Sequence, residues 1–212
     1  LPVEVIVRQY ITGSLWREYS EGINGQYGFM LEKNLKKNQK FDNPILTPST
    51  KAEYGLHDEP ISREEIIEKL VDEKTYSQAE KYALLLFEAG QNWAHERGLI
   101  LVDTKYEFGL VNGELIVIDE IHTPDSSRYW IKDEYETRFN QGQSQLMLDK
   151  ENIRQWLINK GFSGEGTPPI LDDEIRILLS EKYIELYNIL TNKEFNPQIG
   201  DVSNRISNNL KL

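Results

Sequence analysis

The chain reads as an α+β domain, an antiparallel β-sheet with helices packed on it. Three observations predict this. Apolar Leu99-Ile100-Leu101-Val102 runs into Asp103-Thr104-Lys105-Tyr106-Glu107-Phe108, which alternates with the two-residue period of a strand. Asn112-Gly113 follows, the strongest short hairpin signal, because both central positions of a type I′ turn need φ > 0. Two Ser-x-x-Glu pairs, Ser62 with Glu65 and Ser77 with Glu80, are capping-box signatures that open helices.

Taken in order, Val3 to Tyr10 is a strand with Val3, Val5 and Val7 on one face and Glu4 and Arg8 on the other. Ile11 to Trp16 is a small turn in which Gly13 permits close backbone approach and Ser14 offers a hydroxyl. That turn could hold an anion with Arg8 as bidentate partner, or be structural only. Phe41 to Ser62 reads as a long loop rich in Pro and charge, and loops of that length inside a compact domain are often functional. Its Lys51 and Asp58 could read a polar substrate, or the loop could be a plain surface excursion.

The helix opened by Ser77 should run to about Arg97, with Gly98 beyond its end and an apolar stripe of Tyr82, Leu85, Leu86, Ala89 and Trp93. After the hairpin turn comes the return strand Glu114 to Glu120. The segment from His122 to Trp130 places Asp125, Ser126, Ser127 and Arg128 together, a composition that suits phosphate or carboxylate binding, or a turn before a strand. Further helices are expected over Asp149 to Lys160 and Asp172 to Leu190, joined by a Gly- and Pro-rich hinge over residues 164–169. Residues 196–212 read as a polar C-terminal tail.

Composition narrows the function. A formal net charge of −11 argues against a general nucleic-acid or membrane-surface binder. With no Cys, thiolate catalysis and cysteine metal sites are excluded, and three unpaired His give no zinc spacing. The longest wholly apolar run, Ala83 to Phe87, is far too short to span a bilayer, so a cytoplasmic protein is expected. The chain opens without Met directly into a strand, which suggests residues upstream.

The most informative pattern is the face of the central strand that carries Asp103, Lys105 and Glu107, acid, base and acid in a row. Charges leaving a strand that begins so apolar need partners. A metal ion and a phosphate would serve. Two-residue hairpin register pairs Glu107 with Ile118, so Asp119 falls one residue off and on the other face unless a bulge or the strand end corrects it. If Glu107 and Asp119 converge, they form an oxygen site for Mg²⁺, which takes one or two carboxylates plus substrate phosphates. An ordinary hairpin with a solvated charged face is the alternative.

LPVEVIVRQYITGS and LVDTKYEFG resemble two signature motifs of the SAICAR synthetase family (phosphoribosylaminoimidazole-succinocarboxamide synthases), and NPILTPSTKAEYGLHDEPIS and DEIHTPDSSRYW resemble further blocks in the same order. The resemblance covers nearly the whole chain, and GFSGEGTPP with KYIELYNILT is similar to the long, yeast-like form, which leans toward a monomer. It implies ATP- and Mg²⁺-dependent ligation of L-aspartate to carboxyaminoimidazole ribonucleotide in purine biosynthesis. It further implies that Glu107 and Asp119 hold metal and ATP phosphates, Lys105 serves the nucleotide site, and Asp103 lies near the reacting groups. Arg8, Ser14 and Arg128 would hold the ribonucleotide 5′-phosphate, Lys51 and Asp58 would face the substrates, and Ser126 would be a further contact. No stretch matches the family's N-terminal lobe, which covers ATP like the small lobe of protein kinases. The expectation is a C-terminal lobe with an incomplete adenine pocket and little synthetase activity alone. A small-molecule kinase of similar layout, or a non-catalytic domain of a purine enzyme, are the competing readings.

Overall fold

The computed structural model describes residues 1–51, 58–162, 164 and 166–211. His57 and the rest of 52–57 in the Pro-rich loop, and Glu165 in the hinge, lie outside the described residues. The elements in order are β1 (Val3–Tyr10), α1 (Gly13–Ser20), β2 (Lys40–Leu46), β3 (Ser49–Thr50), α2 (Arg63–Lys69), α3 (Glu73–His95), β4 (Leu99–Val111), β5 (Glu114–Ile118), β6 (Ser127–Ile131), α4 (Lys132–Asn140), α5 (Glu151–Asn159), α6 (Asp173–Thr191) and α7 (Val202–Leu210). The strands form one antiparallel sheet with the path β2-β1-β4-β5, while β3 also pairs with β1 and β6 with β4. This is the α+β architecture expected. No helix among the described residues is long and apolar enough to cross a membrane.

One face of the sheet is sealed by α3. Val3, Val5 and Val7 from β1 and Leu99, Leu101, Tyr106 and Phe108 from β4 pack there against Tyr76, Ala79, Ala83 and Phe87 of the helix. Burial at such positions contributes about 25 cal/mol per Å² of apolar surface. The other face carries the charges. Strict alternation would place Asp103 with Leu99 and Leu101 on the core side. A register shift between Leu101 and Asp103 in the β4–β6 pairing lets the apolar run flip into the charged run. Asp103, Lys105 and Glu107 thereby share the face opposite α3 with Glu4 and Arg8, their neighbours on β1.

Several expectations need correction. Ser62 does form a capping box with Glu65 at the start of α2. Ser77, however, lies inside α3, which begins at Glu73 because the Asp72 side chain accepts the Thr75 backbone N–H at 3.0 Å. Ser77 and Glu80 instead receive the Arg63 guanidinium, at 2.9 and 3.1 Å. The buried stripe of α3 is Tyr76, Ala79, Ala83, Phe87, Gly90 and Ala94, while Leu85 and Trp93 are exposed. Small residues let the helix sit close to the sheet, and a ranking by hydrophobicity alone selects the wrong side. The turn at residues 11–16 leads into helix α1, the loop from Phe41 contains most of β2, and the return strand β5 stops at Ile118. Residues 202–210 of the tail form a helix with no buried residue.

Gly90 marks the closest approach of α3 to the hairpin's exit. A Cβ there would lie 2.5 Å from His122 Cε1 and 2.8 Å from Leu101 Cδ2. Alanine gains about 1 kcal/mol of helix propensity but must displace a ring wedged against the sheet, an overpacking cost of about 1–3 kcal/mol. Gly90→Ala is therefore expected to lower the urea midpoint by the equivalent of about 1–2 kcal/mol. A midpoint that rises would show that His122 is free to move aside.

Candidate functional site

Cross-strand register builds the site. Arg8 faces Asp103 and Glu4 faces Glu107 across β1 and β4, and all four are at least nine-tenths buried. An Arg–Asp pair is favourable in that position, whereas two carboxylates directly opposite one another repel. Lys105 resolves the conflict. Its Nζ donates to Glu4 Oε1 at 2.9 Å and to Glu107 Oε1 at 2.6 Å, and lies 3.5 Å from Asp119 Oδ2. Lys51, at the end of β3, donates to the other Glu107 oxygen, and Ser49 donates to Glu4 Oε2 at 3.4 Å.

The hairpin has the expected register, with Glu107 opposite Ile118 and Asn112-Gly113 at the turn, both at positive φ. Asp119 nevertheless reaches the Glu107 side of the sheet. The strand has ended, and Asp119 takes a left-handed conformation at φ 67° that turns its carboxylate back toward Lys105. The one-residue mismatch is thus corrected by the strand end rather than by a bulge.

The second half of the site centres on Asp103. Its Oδ2 accepts from Arg8 Nη1 at 3.1 Å and from Arg128 Nη1. Arg8 also donates to Thr47 Oγ1 at 2.8 Å and to Ser14 Oγ at 3.1 Å. Arg128 Nη2 donates to Glu151 Oε2 at 3.2 Å, and Arg154 adds a second cation to that carboxylate at 3.0 Å. Gly13, at φ 59°, starts α1 directly over the Arg128 guanidinium, and a Cβ there would meet Nη2 at 2.7 Å. Ser126 borders a cavity of about 60 Å³ shared with Asp103, Arg128, Asp149 and Glu151. Its hydroxyl lies 3.3 Å from that of Ser127.

Charge divides this face in two. Around Asp103, Asp149 and Glu151 stand three guanidiniums, from Arg8, Arg128 and Arg154, so cations and carboxylates match in number. Around Glu4, Glu107 and Asp119 stand two ammoniums, from Lys51 and Lys105, so carboxylates exceed cations. The first half can meet an anion with guanidinium forks, and the second, with its excess of carboxylates, suits a cation. Ionisation states follow. Burial works against the Glu107 carboxylate, but hydrogen bonds from Lys105 and Lys51 hold its pKa at about 2. Burial likewise opposes the Lys105 ammonium, and Glu107 and Glu4 outweigh it and raise the pKa. Arg128 is buried too, and Asp103, Asp149 and Glu151 together raise its pKa. Asp149 is the exception: burial pushes it up to about 6 against the opposing pull of Arg128.

Of the residues the sequence singled out, Arg8, Ser14, Asp103 and Arg128 come together, with Ser126 at their edge, and Lys51, Lys105, Glu107 and Asp119 form the adjoining group. Asp58 is exposed, where the Pro-rich loop returns to the bridge at Pro60. Sequence reasoning missed Glu4, Thr47, Glu151 and Arg154 as members. The only signal for Glu4 was its place on the Arg8 face of β1. Nothing local marks Glu151, which arrives from a distant helix.

Glu107 and Asp119 meet at one ammonium, so two hard oxygen ligands converge beside a guanidinium-bearing pocket. That donor set fits a divalent cation that completes its shell with phosphate oxygens. Among the described residues, no cluster of three or more His, Cys, Asp or Glu is arranged to hold a metal alone.

The chain is similar to known proteins of one family. Residues 1–169 match the family model for SAICAR synthetase. A phosphoribosylaminoimidazole-succinocarboxamide synthase from Bacteroides fragilis is 48% identical over 99% of this chain and 68% of its own length. The enzyme of the same name from Cytophaga hutchinsonii is 47% identical over 98% of this chain and 68% of its own length. Among solved structures, SAICAR-synthase from Saccharomyces cerevisiae complexed with SAICAR is 38% identical, with a TM-score of 0.75 over 92% of this chain and 62% of that one. A SAICAR synthetase in complex with ADP is 26% identical, with a TM-score of 0.65 over 94% of this chain and 66% of that one. The chain thus spans about two thirds of the length of the relatives it matches.

If Lys105 is what lets Glu4 and Glu107 face each other, Lys105→Met should destabilise the fold at neutral pH by about 2 kcal/mol, below the usual range for an orphaned buried charge because Lys105 is itself partly exposed and Lys51 still pairs Glu107. The pH dependence carries the sign. In the parent protein the lowered Glu107 pKa contributes stability above the ordinary carboxylate range, which is lost as pH falls toward about 2. In the variant the facing carboxylates bind protons more readily than in the unfolded chain, so acidification relieves them. The gap between the two urea midpoints should narrow between about pH 6 and about pH 3. A gap that stays constant would mean that Lys105 does not neutralise the pair.

Proposed function

The chain belongs to the SAICAR synthetase family, and on that premise we propose that it supplies the metal- and ribonucleotide-holding face for the ATP-dependent ligation of L-aspartate to carboxyaminoimidazole ribonucleotide (CAIR). The products are SAICAR, ADP and phosphate. The observation that carries this reading is the division of one sheet face into a guanidinium-bearing pocket at Arg8, Ser14 and Arg128 and a carboxylate-rich pocket at Glu107 and Asp119, joined by Asp103 and Lys105 on a single strand.

The chemistry needs both halves. A carboxylate oxygen is a poor leaving group, so an amine does not displace it. Transfer of the ATP γ-phosphoryl group to the CAIR carboxylate makes an acyl phosphate and releases ADP. The aspartate amine then attacks the acyl carbon, loses a proton, and inorganic phosphate departs. Both steps pass through concentrated negative charge that fixed cations stabilise. Mg²⁺ supplies charge neutralisation and alignment of the phosphates when bound.

The residues of this chain take the following parts. Glu107 and Asp119 would hold the metal. Each Glu107 oxygen is already engaged by a lysine, so occupancy would free Lys105 and Lys51 to turn toward phosphate oxygens. Arg8 and Arg128, with the Ser14 hydroxyl, would grip the ribonucleotide 5′-phosphate at the first turn of α1. Asp103 accepts from both guanidiniums and so orients them before the phosphate arrives. Lys51, Asp58 and Ser126 would contact substrates around the rim.

Two experiments test the reading. The 212-residue chain alone should bind ribose 5-phosphate, and Arg128→Gln should weaken that binding by a factor of about 10 or more. Equal binding by the variant would remove the phosphate assignment. In a protein that joins this chain to the remaining third found in its relatives, sustained turnover of ATP to ADP should require both CAIR and L-aspartate. Glu107→Gln should lower that rate by about 10² or more. Sustained ADP turnover without L-aspartate would point to a small-molecule kinase, and an unaffected Glu107→Gln rate to an inert acidic face.

A further inference from the structure

Two Asn-Gly pairs occur in the chain, Asn24-Gly25 and Asn112-Gly113. They are chemically alike and structurally opposite. The contrast bears on a reaction that needs no enzyme. In an Asn-Gly pair the glycine main-chain nitrogen lies one ring closure from the asparagine side-chain carbonyl, and no glycine Cβ obstructs the approach.

Asn24 is tied down. Its Nδ2 donates to the Leu31 carbonyl at 3.2 Å, and its Oδ1 accepts the Leu31 N–H at 2.9 Å. Asn24 and Gly25 are half-buried, and a Cβ on Gly25 would meet Met30 Sδ at 3.0 Å. The carboxamide is held in one orientation by both of its polar atoms, and the space beside Gly25 is partly filled.

Asn112 has none of these restraints. With Gly113 it forms the tip of the β4–β5 hairpin, both residues exposed and both at positive φ, 52° and 83°. Among the described residues its side chain makes no hydrogen bond. A Cβ on Gly113 would meet nothing within 4 Å. β5 lies at the end of the sheet path, and the tip is closed by the Val111–Glu114 pair. Opening the last pair of an edge hairpin costs little, so the Asn112 carboxamide and the Gly113 nitrogen are free to reach the geometry of attack.

We infer that Asn112 is a site of spontaneous deamidation, and that its isoaspartyl product loosens the hairpin that carries Glu107. The Gly113 nitrogen gives up its proton to base and attacks Asn112 Cγ. The bond from Cγ to the side-chain nitrogen breaks, and ammonia leaves a succinimide ring. Water then adds to one ring carbonyl and breaks its bond to the Gly113 nitrogen. Opening at Cγ leaves an aspartyl residue, and opening at the main-chain carbonyl leaves an isoaspartyl residue. The balance is one amide and one water in, one carboxylic acid and one ammonia out.

In the isoaspartyl product the main chain runs through the former side chain and is longer by one methylene. A type I′ turn closes over two α-residues, so the added atom breaks its geometry. The Val111–Glu114 pair is lost first. Among the described strands β5 pairs with β4 alone, so it loosens from the tip. β5 ends at Ile118, opposite Glu107, and leads directly to Asp119. The same ladder therefore supports both carboxylates of the proposed metal pocket, although the deamidation itself does not depend on that function.

The test holds the 212-residue protein in warm, mildly alkaline buffer and samples it over time by tryptic mass mapping. Asn112 is the sole carboxamide of the peptide Tyr106–Arg128, and Asn24 falls in Glu18–Lys33. Tyr106–Arg128 should gain the mass of an amide-to-acid conversion and become a substrate for protein isoaspartyl methyltransferase. Asn112 should convert at least about tenfold faster than Asn24, whose two hydrogen bonds must open before it reacts. In urea-unfolded protein the two rates should converge. Asn112→Gly retains a Gly-Gly pair suited to the same turn and has no carboxamide to lose. Incubation should therefore lower the urea midpoint of the parent and leave that of the variant unchanged. An Asn112 that stays intact, or reacts no faster than Asn24 in the folded protein, overturns the site. A parent midpoint that holds while isoaspartate accumulates overturns the loosening of the hairpin.

Discussion

Two buried carboxylates, Glu4 and Glu107, face one another across the central pair of strands, and the ammonium of Lys105 holds them there. Without that cation, β1 and β4 could not pair in this register at neutral pH without strong repulsion. With it, the register is set for every other member of the site. Arg8 falls opposite Asp103, Lys51 is drawn to Glu107 from the end of β3, and Asp119 is within reach once the hairpin ends. A buried ionic cluster of this kind is a poor source of net stability, because desolvation offsets most of the Coulomb gain. What it supplies is a fixed array of charges that a ligand can exchange partners with.

That exchange is the functional content of the arrangement. Arg8, Arg128, Lys51, Lys105, Glu107 and Asp119 each already have a protein partner of opposite charge. Lys105 and Lys51 occupy the Glu107 oxygens, and Asp103 occupies both guanidiniums. Binding therefore replaces one set of close ion pairs with another and leaves no charge bare in either state. The contrast between the two halves, guanidiniums balanced by carboxylates around Asp103 and surplus carboxylates around Lys105, separates the end proposed to take phosphate from the end proposed to take metal.

The sheet and its charged face were legible because their signals are local. Alternation exposed the Asp103–Lys105–Glu107 row, and Asn112-Gly113 fixed the hairpin register to the residue. Glu4 and Glu151 were not legible, since one joins through a strand a hundred residues away in sequence and the other through a helix whose own pattern says nothing about Arg128. The α3 stripe was misread for a different reason. Hydrophobicity favoured Leu85 and Trp93, but the helix packs on Ala79, Ala83, Gly90 and Ala94, where small volume permits close approach. The N-terminus of α3 shifted for a related reason, as Asp72 offers a cap earlier than Ser77 and the helix gains a turn by taking it. Family resemblance assigned roles to Arg8, Ser14 and Arg128. Their convergence depends on Gly13, whose missing side chain leaves room for the Arg128 guanidinium.

The position of Asp119 depends on chemistry from the core side of the sheet. Tyr106 lies between Lys105 and Glu107 in sequence, and its side chain points the opposite way, into the core. Its hydroxyl lies 2.6 Å from His122 Nε2, three residues beyond Asp119. Burial lowers the His122 pKa to about 4, so the imidazole is neutral at pH 7, and a single hydrogen joins Nε2 and the hydroxyl. Tyr129 donates to the His122 carbonyl at 2.7 Å, and Gly90 lets α3 close over the ring. His122 and Asp119 both have positive φ, a conformation that non-glycine residues hold only when their surroundings require it. The short segment between them is therefore clamped at its far end by the same strand whose opposite face it serves. One strand thus presents Lys105 and Glu107 to the site and, through Tyr106, anchors the loop that brings the second carboxylate to meet them.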